Sequence, residues 1–186
     1  ATQIEVLVMG LPVNTMKKHK NFVLNEFRGE FDVCGKKVTV KNVFVIPQPI
    51  GAILHYGESI NTQISADDTY LVNDFGYGTS DWVTAKGSKT IESRSDGETI
   101  GVSTILKSVA SLISRDVGRK FSEIERIDDA IIEKKHLQVF GNVFTPENLQ
   151  AYVKSSQYIA DECANKIYEN VGNGNDLKTI INVGGG

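Results

Sequence analysis

The sequence predicts an α/β protein, a mixed β-sheet with helices packed on its faces. Three observations lead there. From residue 70 onward, three strand-like segments follow one another before any helix, which argues against a simple doubly wound sheet. Apolar residues at Val102, Ile105, Leu106, Val109 and Leu112 then recur at spacings of three and four, the signature of an amphipathic helix. A last apolar segment, residues 177–183, returns to strand before a glycine triplet.

Taken in order, residues 4–10 are rich in Val, Leu and Ile and stop at Gly10-Leu11-Pro12, the pattern of a buried strand. Asn14 is placed to cap a helix running to residue 28. Residues 31–33 and 37–41 alternate around Gly35, which predicts a hairpin. Residues 43–46 read as another buried strand, stopped by Pro47-Gln48-Pro49. A short helix over 50–56 follows, with Pro49 in its first turn. Residues 57–68 are polar and loop-like. Residues 89–93 predict a further strand. Ser122 and Glu125, three apart, predict a capping box. Thr145-Pro146-Glu147 is a strong helix start, and that helix is expected to run to Val171, where Gly172 ends it.

The centre of the chain is residues 70–83, two apolar segments joined by Asp74-Phe75-Gly76-Tyr77-Gly78-Thr79. Glycine at 76 and 78 permits φ > 0 and close approach of the backbone to a ligand. Successive N–H groups in such a turn can form a nest for phosphate oxygens, and Thr79 adds a hydroxyl. Asp74 is placed to face a metal ion or its waters, because Mg²⁺ takes few carboxylates alongside phosphates. An ordinary tight hairpin with Asp74 capping the turn is the other reading.

Composition bounds the function. The chain has 186 residues, 40% hydrophobic and 23% charged, with a formal charge of -3 and a pI near 5.7. A broad nucleic-acid-binding surface is not favoured by that balance. Cys34 and Cys163 lie far apart without metal-ligand spacing, as reduced thiols of a cytoplasmic protein would. No apolar run reaches the roughly 18 residues that span a bilayer. The final Val183-Gly184-Gly185-Gly186 reads as a turn leading onward, so a fragment is expected.

Four pieces together resemble the ATPase core of the actin superfamily, nearest the plasmid-segregation actins of bacteria (the ParM type). They are Val8-Met9-Gly10-Leu11-Pro12, Ile46-Pro47-Gln48-Pro49-Ile50-Gly51, Asp74-Phe75-Gly76-Tyr77-Gly78-Thr79 and Ile181-Asn182-Val183-Gly184-Gly185-Gly186. The resemblance implies RNase H-like domains with ATP (GTP being the alternative) and Mg²⁺ held in a cleft. It implies that residues up to about 45 are the tail of a first domain or linking strands, and that about 46–186 form the second domain. The family's first phosphate loop, an Asp-x-Gly, has no counterpart here.

By the same resemblance Asp74 serves the Mg²⁺ site, largely through water. Gly76, Tyr77, Gly78 and Thr79 hold the β- and γ-phosphates. Gln48 positions the attacking water, an orienting role because an amide is not a strong base; shaping a turn between prolines is the alternative. Gly101 lies where the ribose approaches, at a helix N-terminus offering N–H donors, or is small for close packing. Gly184, Gly185 and Gly186 bring the backbone to the adenosine, or form a tail. The implied activity is ATP hydrolysis coupled to filament turnover, the polymer partitioning plasmid DNA through an adaptor, with no membrane partner. A monomeric sugar or acetate kinase on the same fold is the competing reading, and fold alone does not decide.

Overall fold

The structure, a computed structural model, describes residues 2–185. The chain divides into two compact units. The first comprises residues 2–74, Asp81–Gly97 and Asn173–Val183; the second comprises Phe75–Ser80, Glu98–Gly172 and residues 184–185.

The first unit holds two sheets. In one, β1 (Thr2–Leu11) runs parallel to β3 (Lys36–Pro47), with Gly10 opposite Ile46 and Leu11 opposite Pro47, and β2 (Gly29–Val33) is antiparallel to β3. Cys34 and Gly35 both take positive φ, +52° and +75°, the two-residue turn whose twist suits a hairpin. The two strands expected at 37–41 and 43–46 are one long strand, because Val40, Asn42 and Val43 keep one register against Ile4, Val6 and Leu7 of β1. The expectation of buried strands also fails here. Val8 and Phe44, paired across β1 and β3, are each 56% exposed. One face of this three-stranded sheet is covered by α1 (Met16–Glu26), and alternate side chains point away from it. Asn14 does not cap α1: a 3-10 turn over Val13–Thr15 precedes the helix, and Thr15 stands at its N-cap without a side-chain bond.

The second sheet has the order β10 (Leu177–Val183), β4 (Thr69–Phe75), β5 (Ser80–Lys86), β6 (Lys89–Thr90), with β7 (Asp96–Glu98) also pairing β5. β10 is parallel to β4 and β6 antiparallel to β5, so the sheet is mixed as expected. The segment 89–93 supplies only the two residues of β6, and a 3-10 turn at Glu92–Arg94 takes over. Residues 69–73 and 80–85 are all buried, which matches their near-continuous apolar or small character. Their core joins α2 (Ile50–Ser59) through Ile50, Ile53, Tyr70, Val72 and Val83. Asp176, before β10, accepts from Arg94 at 2.6 and 3.0 Å, and this pairing holds its carboxyl below the usual range.

The second unit is mainly helical: α3 (Val102–Val117), α4 (Ile124–Ile132), the hairpin β8 (Leu137–Val139) and β9 (Asn142–Phe144), α5 (Pro146–Ser155) and α6 (Gln157–Val171). Leu106, Val109, Ile113, Ile127, Val139 and Leu149 form its core. α3 continues to Val117 because Gly118, at φ +68°, is the first residue suited to a left-handed C-cap. The Ser122–Glu125 capping box does not form. Phe121 N–H donates to Ser114 Oγ at 2.8 Å, and the short helix expected on Ile124, Ile127, Ile131 and Ile132 does form, from Ile124 to Ile132. Thr145 does cap α5, with Asn148 returning the bond. The single helix expected over 145–171 is two. Ser156, fully buried, donates to Tyr152 O at 3.1 Å and lies 2.9 Å from Ser108 Oγ, so the backbone ladder breaks there. The β8–β9 hairpin was not expected; its Phe140-Gly141 turn, at φ +48° and +85°, is of the same type as Cys34-Gly35.

Tyr152 ties α5 to α3 by donating to Asp116 Oδ2 at 2.5 Å. Burial, then the carboxylate bond and charge, push the phenol up to about 12. A raised folded-state value stabilises the neutral form, fully below the unfolded value of about 10. The stability advantage over Tyr152→Phe should therefore be constant through neutral pH and decline between about pH 10 and 12. Urea midpoints of both proteins across that range check this; a difference that does not shrink would show that the bond is not what raises the phenol.

Candidate functional site

The hairpin tip belongs to the second unit, where Phe75–Ser80 packs on the first turn of α3. Gly76 N–H donates to Thr79 O at 2.8 Å and closes the turn. The carbonyls of Gly76 and Tyr77 accept from Val102 N–H (3.2 Å) and Ser103 N–H (2.8 Å), and Ser80 Oγ donates to Ile100 O at 2.5 Å. The loop is thus held by the amides that a helix N-terminus leaves over. Thr104 N–H turns back to Gly101 O at 2.9 Å, so what Gly101 offers is space rather than first-turn donors.

That space is tight. A Cβ on Gly101 would lie 2.6 Å from Tyr77 O and 2.7 Å from Gly76 O. One on Gly76 would lie 3.1 Å from Thr79 O, whereas one on Gly78 would meet nothing within 4 Å. Neither Gly76 nor Gly78 takes a left-handed φ, contrary to expectation; the turn closes with ordinary backbone angles, and glycine is needed at 76 for proximity. Tyr77 is about half exposed, its phenol pushed up by desolvation and then by the charges of Glu125 and Asp128. Behind the loop, a 380 Å³ cavity runs between Gly76, Ser80 and Gly101 on one wall and Gln157, Asp161 and Cys163 of α6 on the other. Gln157 Nε2 donates to Asp161 Oδ1 at 3.4 Å. No motif marks this α6 wall, whose residues sit on a helix face like any other.

Asp74 lies in the first unit at the C-terminal end of β4, half-buried and in register with Val183 of parallel β10. Ligands of open α/β sheets bind at such strand ends. Beside it Asn73 Nδ2 donates to Asn182 Oδ1 at 3.0 Å, while Asn73 Oδ1 is buried and has no partner among the described residues. Gly184 follows β10 at φ +106°, a conformation that strongly favours glycine. Gly185 has open space where a side chain would stand. Gly186 lies outside the described residues.

Gln48, exposed, follows β3 in the same unit. Its N–H donates to Leu11 O at 2.9 Å, and a Cβ on Gly10 would meet its Cγ at 2.8 Å. The segments 8–12 and 46–51 are therefore neighbours. Asp81, buried at the start of β5, accepts from Val13 N–H at 3.1 Å and links this edge to the second sheet. Among the described residues no cluster of three or more His, Cys, Asp or Glu side chains could hold a metal, and no helix is long and apolar enough to cross a membrane.

A family model described as the archaeal actin homologue MreB-like, C-terminal, matches residues 72–186. The structure of Ta0583, an archaeal actin homologue in complex with ADP, aligns with a TM-score of 0.75 at 17% identity, covering 99% of this chain and 60% of that one. A 15-stranded ParM filament from Clostridium botulinum gives 0.67 at 18%, covering 96% and 55%. Bacillus thuringiensis ParM with ATP gives 0.59 at 15%, covering 98% and 57%. The fold is that of actin homologues, and this chain spans between 55% and 60% of the length of these three structures. No curated protein matches the sequence.

Proposed function

This chain belongs to the archaeal MreB-like actin homologues, and from that premise we propose that the protein binds and hydrolyses ATP to control its own assembly into filaments. The observation that carries the reading is the hairpin tip clamped on α3 through Gly101, a preorganised backbone loop suited to phosphate oxygens. Tyr77, Gly78 and Thr79 would hold the β- and γ-phosphates, with Gly76, its N–H given to Thr79 O, closing the turn that presents them. Gly184 and Gly185 would let backbone approach ribose and base, as would Gly186, while Gly101, expected to serve the ribose, is the close-packed seat of the loop on α3. Two of the similar proteins were captured with ADP and ATP, and a third as a filament, which supports this reading.

Mg²⁺ fits the residues present. A hard cation needs few protein ligands when phosphates and water complete its shell, and a lone half-buried carboxylate, Asp74, is such a donor. When bound, the cation would offset charge on the phosphates. Gln48 would orient the attacking water by hydrogen bonding, without taking its proton. Residues 46–186 would act as the second RNase H-like domain. The setting would be cytoplasmic, and the polymer would move plasmid DNA through an adaptor protein rather than by direct contact.

The test is calorimetric titration with Mg-ATP and Mg-ADP, followed by turnover and pelleting assays. Gln48→Ala should lower the rate of hydrolysis by about 100-fold while ATP affinity stays within about two-fold, since only the water is misplaced. Transfer of phosphate to a sugar or to acetate, with the protein remaining monomeric, would replace this reading by the kinase.

A further inference from the structure

The second unit carries a basic groove that the proposed nucleotide site does not use. It has a volume of 710 Å³ and follows the C-terminal half of α3 into the turn before α4. Lys107, Arg115, Arg119 and Lys120 line it, with Phe121 and Ile124 at its apolar floor and no carboxylate among the described lining residues. Lys107 and Arg115 lie eight residues apart on α3, two turns along one face. Arg115 Nε meets Asp116 at 3.1 Å, and Arg119 stacks 4.3 Å over the ring of Phe140, itself about half exposed. A concentration of cations in a chain of net charge -3 is a local feature, and the overall field opposes a polyanion such as nucleic acid.

The same unit carries the complement. α6 turns Ile159, Cys163 and Ile167 inward and exposes Tyr158, Glu162, Asn165, Tyr168 and Glu169 along its other face. The two tyrosines are 62% and 65% exposed. Glu162 is engaged by Lys166 at 3.4 Å, which also meets Glu98 at 3.2 Å, so Glu169 carries the outward charge of the stripe's far end. Exposed tyrosines beside carboxylates suit a groove of guanidinium and ammonium groups over an apolar floor. Tyrosine rings stack on arginine as Phe140 already does, and carboxylates meet lysine.

We propose that the α3–α4 groove of one copy receives the tyrosine-bearing face of α6 from a second copy. The two surfaces are different patches, so the contact is heterologous and propagates from copy to copy instead of closing on a two-fold axis. This deepens the filament reading above by naming a contact within it, and it rests on that reading for its biological use.

Charge reversal tests it on the whole chain, by sedimentation velocity over a wide concentration range at low and high salt. Wild-type protein should self-associate, more weakly at high salt. Lys120→Glu and Glu169→Lys, each alone, should weaken association by about ten-fold or more. An equimolar mixture of the two variants should recover it, since each groove then meets a face of opposite charge. Wild-type protein that stays monomeric throughout, single variants that associate like wild type, or a mixture no better than its components would each overturn the contact. Pelleting with ATP separates this from the filament reading. Polymer unaffected by either reversal keeps the filament and removes the contact; salt-sensitive association without ATP-dependent polymer keeps the contact and removes the filament.

Discussion

Alanine at position 74 is expected to reduce ATP turnover by about 100-fold and to leave the melting temperature within a few degrees of wild type. The two halves of that expectation have separate causes. Asp74 is half-buried at the end of β4, past the fully buried residues 69–73, so its side chain contributes little packing. Its carboxylate would be the protein's anchor for the cation beside the phosphates, and the charge lost is one that matters most as negative charge shifts in the transition state. Asp74→Asn keeps the shape and removes the charge, and should behave like alanine in turnover. ATP titrations with and without Mg²⁺ complete the experiment: the substitution should abolish most of the difference between them. Unchanged turnover, or a fall in stability matching the fall in rate, would return Asp74 to the role of a turn-capping residue.

Gly101→Ala is expected to destabilise the protein by about 1–3 kcal/mol and to weaken ATP binding by at least about ten-fold. The added methyl would stand 2.6 Å from Tyr77 O and 2.7 Å from both Gly76 O and Gly78 C. All three are backbone atoms, so no flexible side chain can swing aside. The loop must lift, and the bonds from Val102 and Ser103 N–H to its carbonyls lengthen or break. Backbone conformation is not the issue, since Gly101 has extended angles, φ -137° and ψ -173°, open to any residue. Gly78→Ala is the matched control: its methyl would meet nothing within 4 Å, and the melting temperature should hold. Thermal melts and ATP titrations of the pair decide it. Equal behaviour of the two variants would mean that the loop does not depend on the fit at Gly101.

The parts of the molecule that were legible in the sequence are those set by local chemistry. Gly76 and Gly78 between apolar segments announced the hairpin, Thr145-Pro146 announced α5, and Gly172 its far end as α6. What escaped was decided by partners distant in sequence. Ser156 looks like any helical serine until Ser108 is placed opposite it, and then the helix breaks. Ser122 and Glu125 have the right spacing for a capping box, yet Glu123 stands at the N-cap without a side-chain bond, although α4 begins at Ile124 as expected. The Phe140-Gly141 turn joins strands of only three residues each, too short to show an alternation of the kind that flanks Gly35. The candidate site divides in the same way. Asp74 and the loop stand out by their glycines and spacing, whereas Gly101 enters only through the resemblance. Gln157 and Asp161 face the cavity only because α3 and α6 pack as they do.

The clamp between the hairpin tip and α3 has a mechanical consequence. A helix of 16 residues is a stiff rod about 24 Å long, held at its first turn by loop carbonyls and ending at Gly118, where the basic groove lies. Whatever pulls on the loop pulls on one end of that lever, and a tilt of about 5° there displaces the other end by about 2 Å. The chemistry proposed for the tip and the contact proposed for the groove would thereby be coupled through one stiff helix.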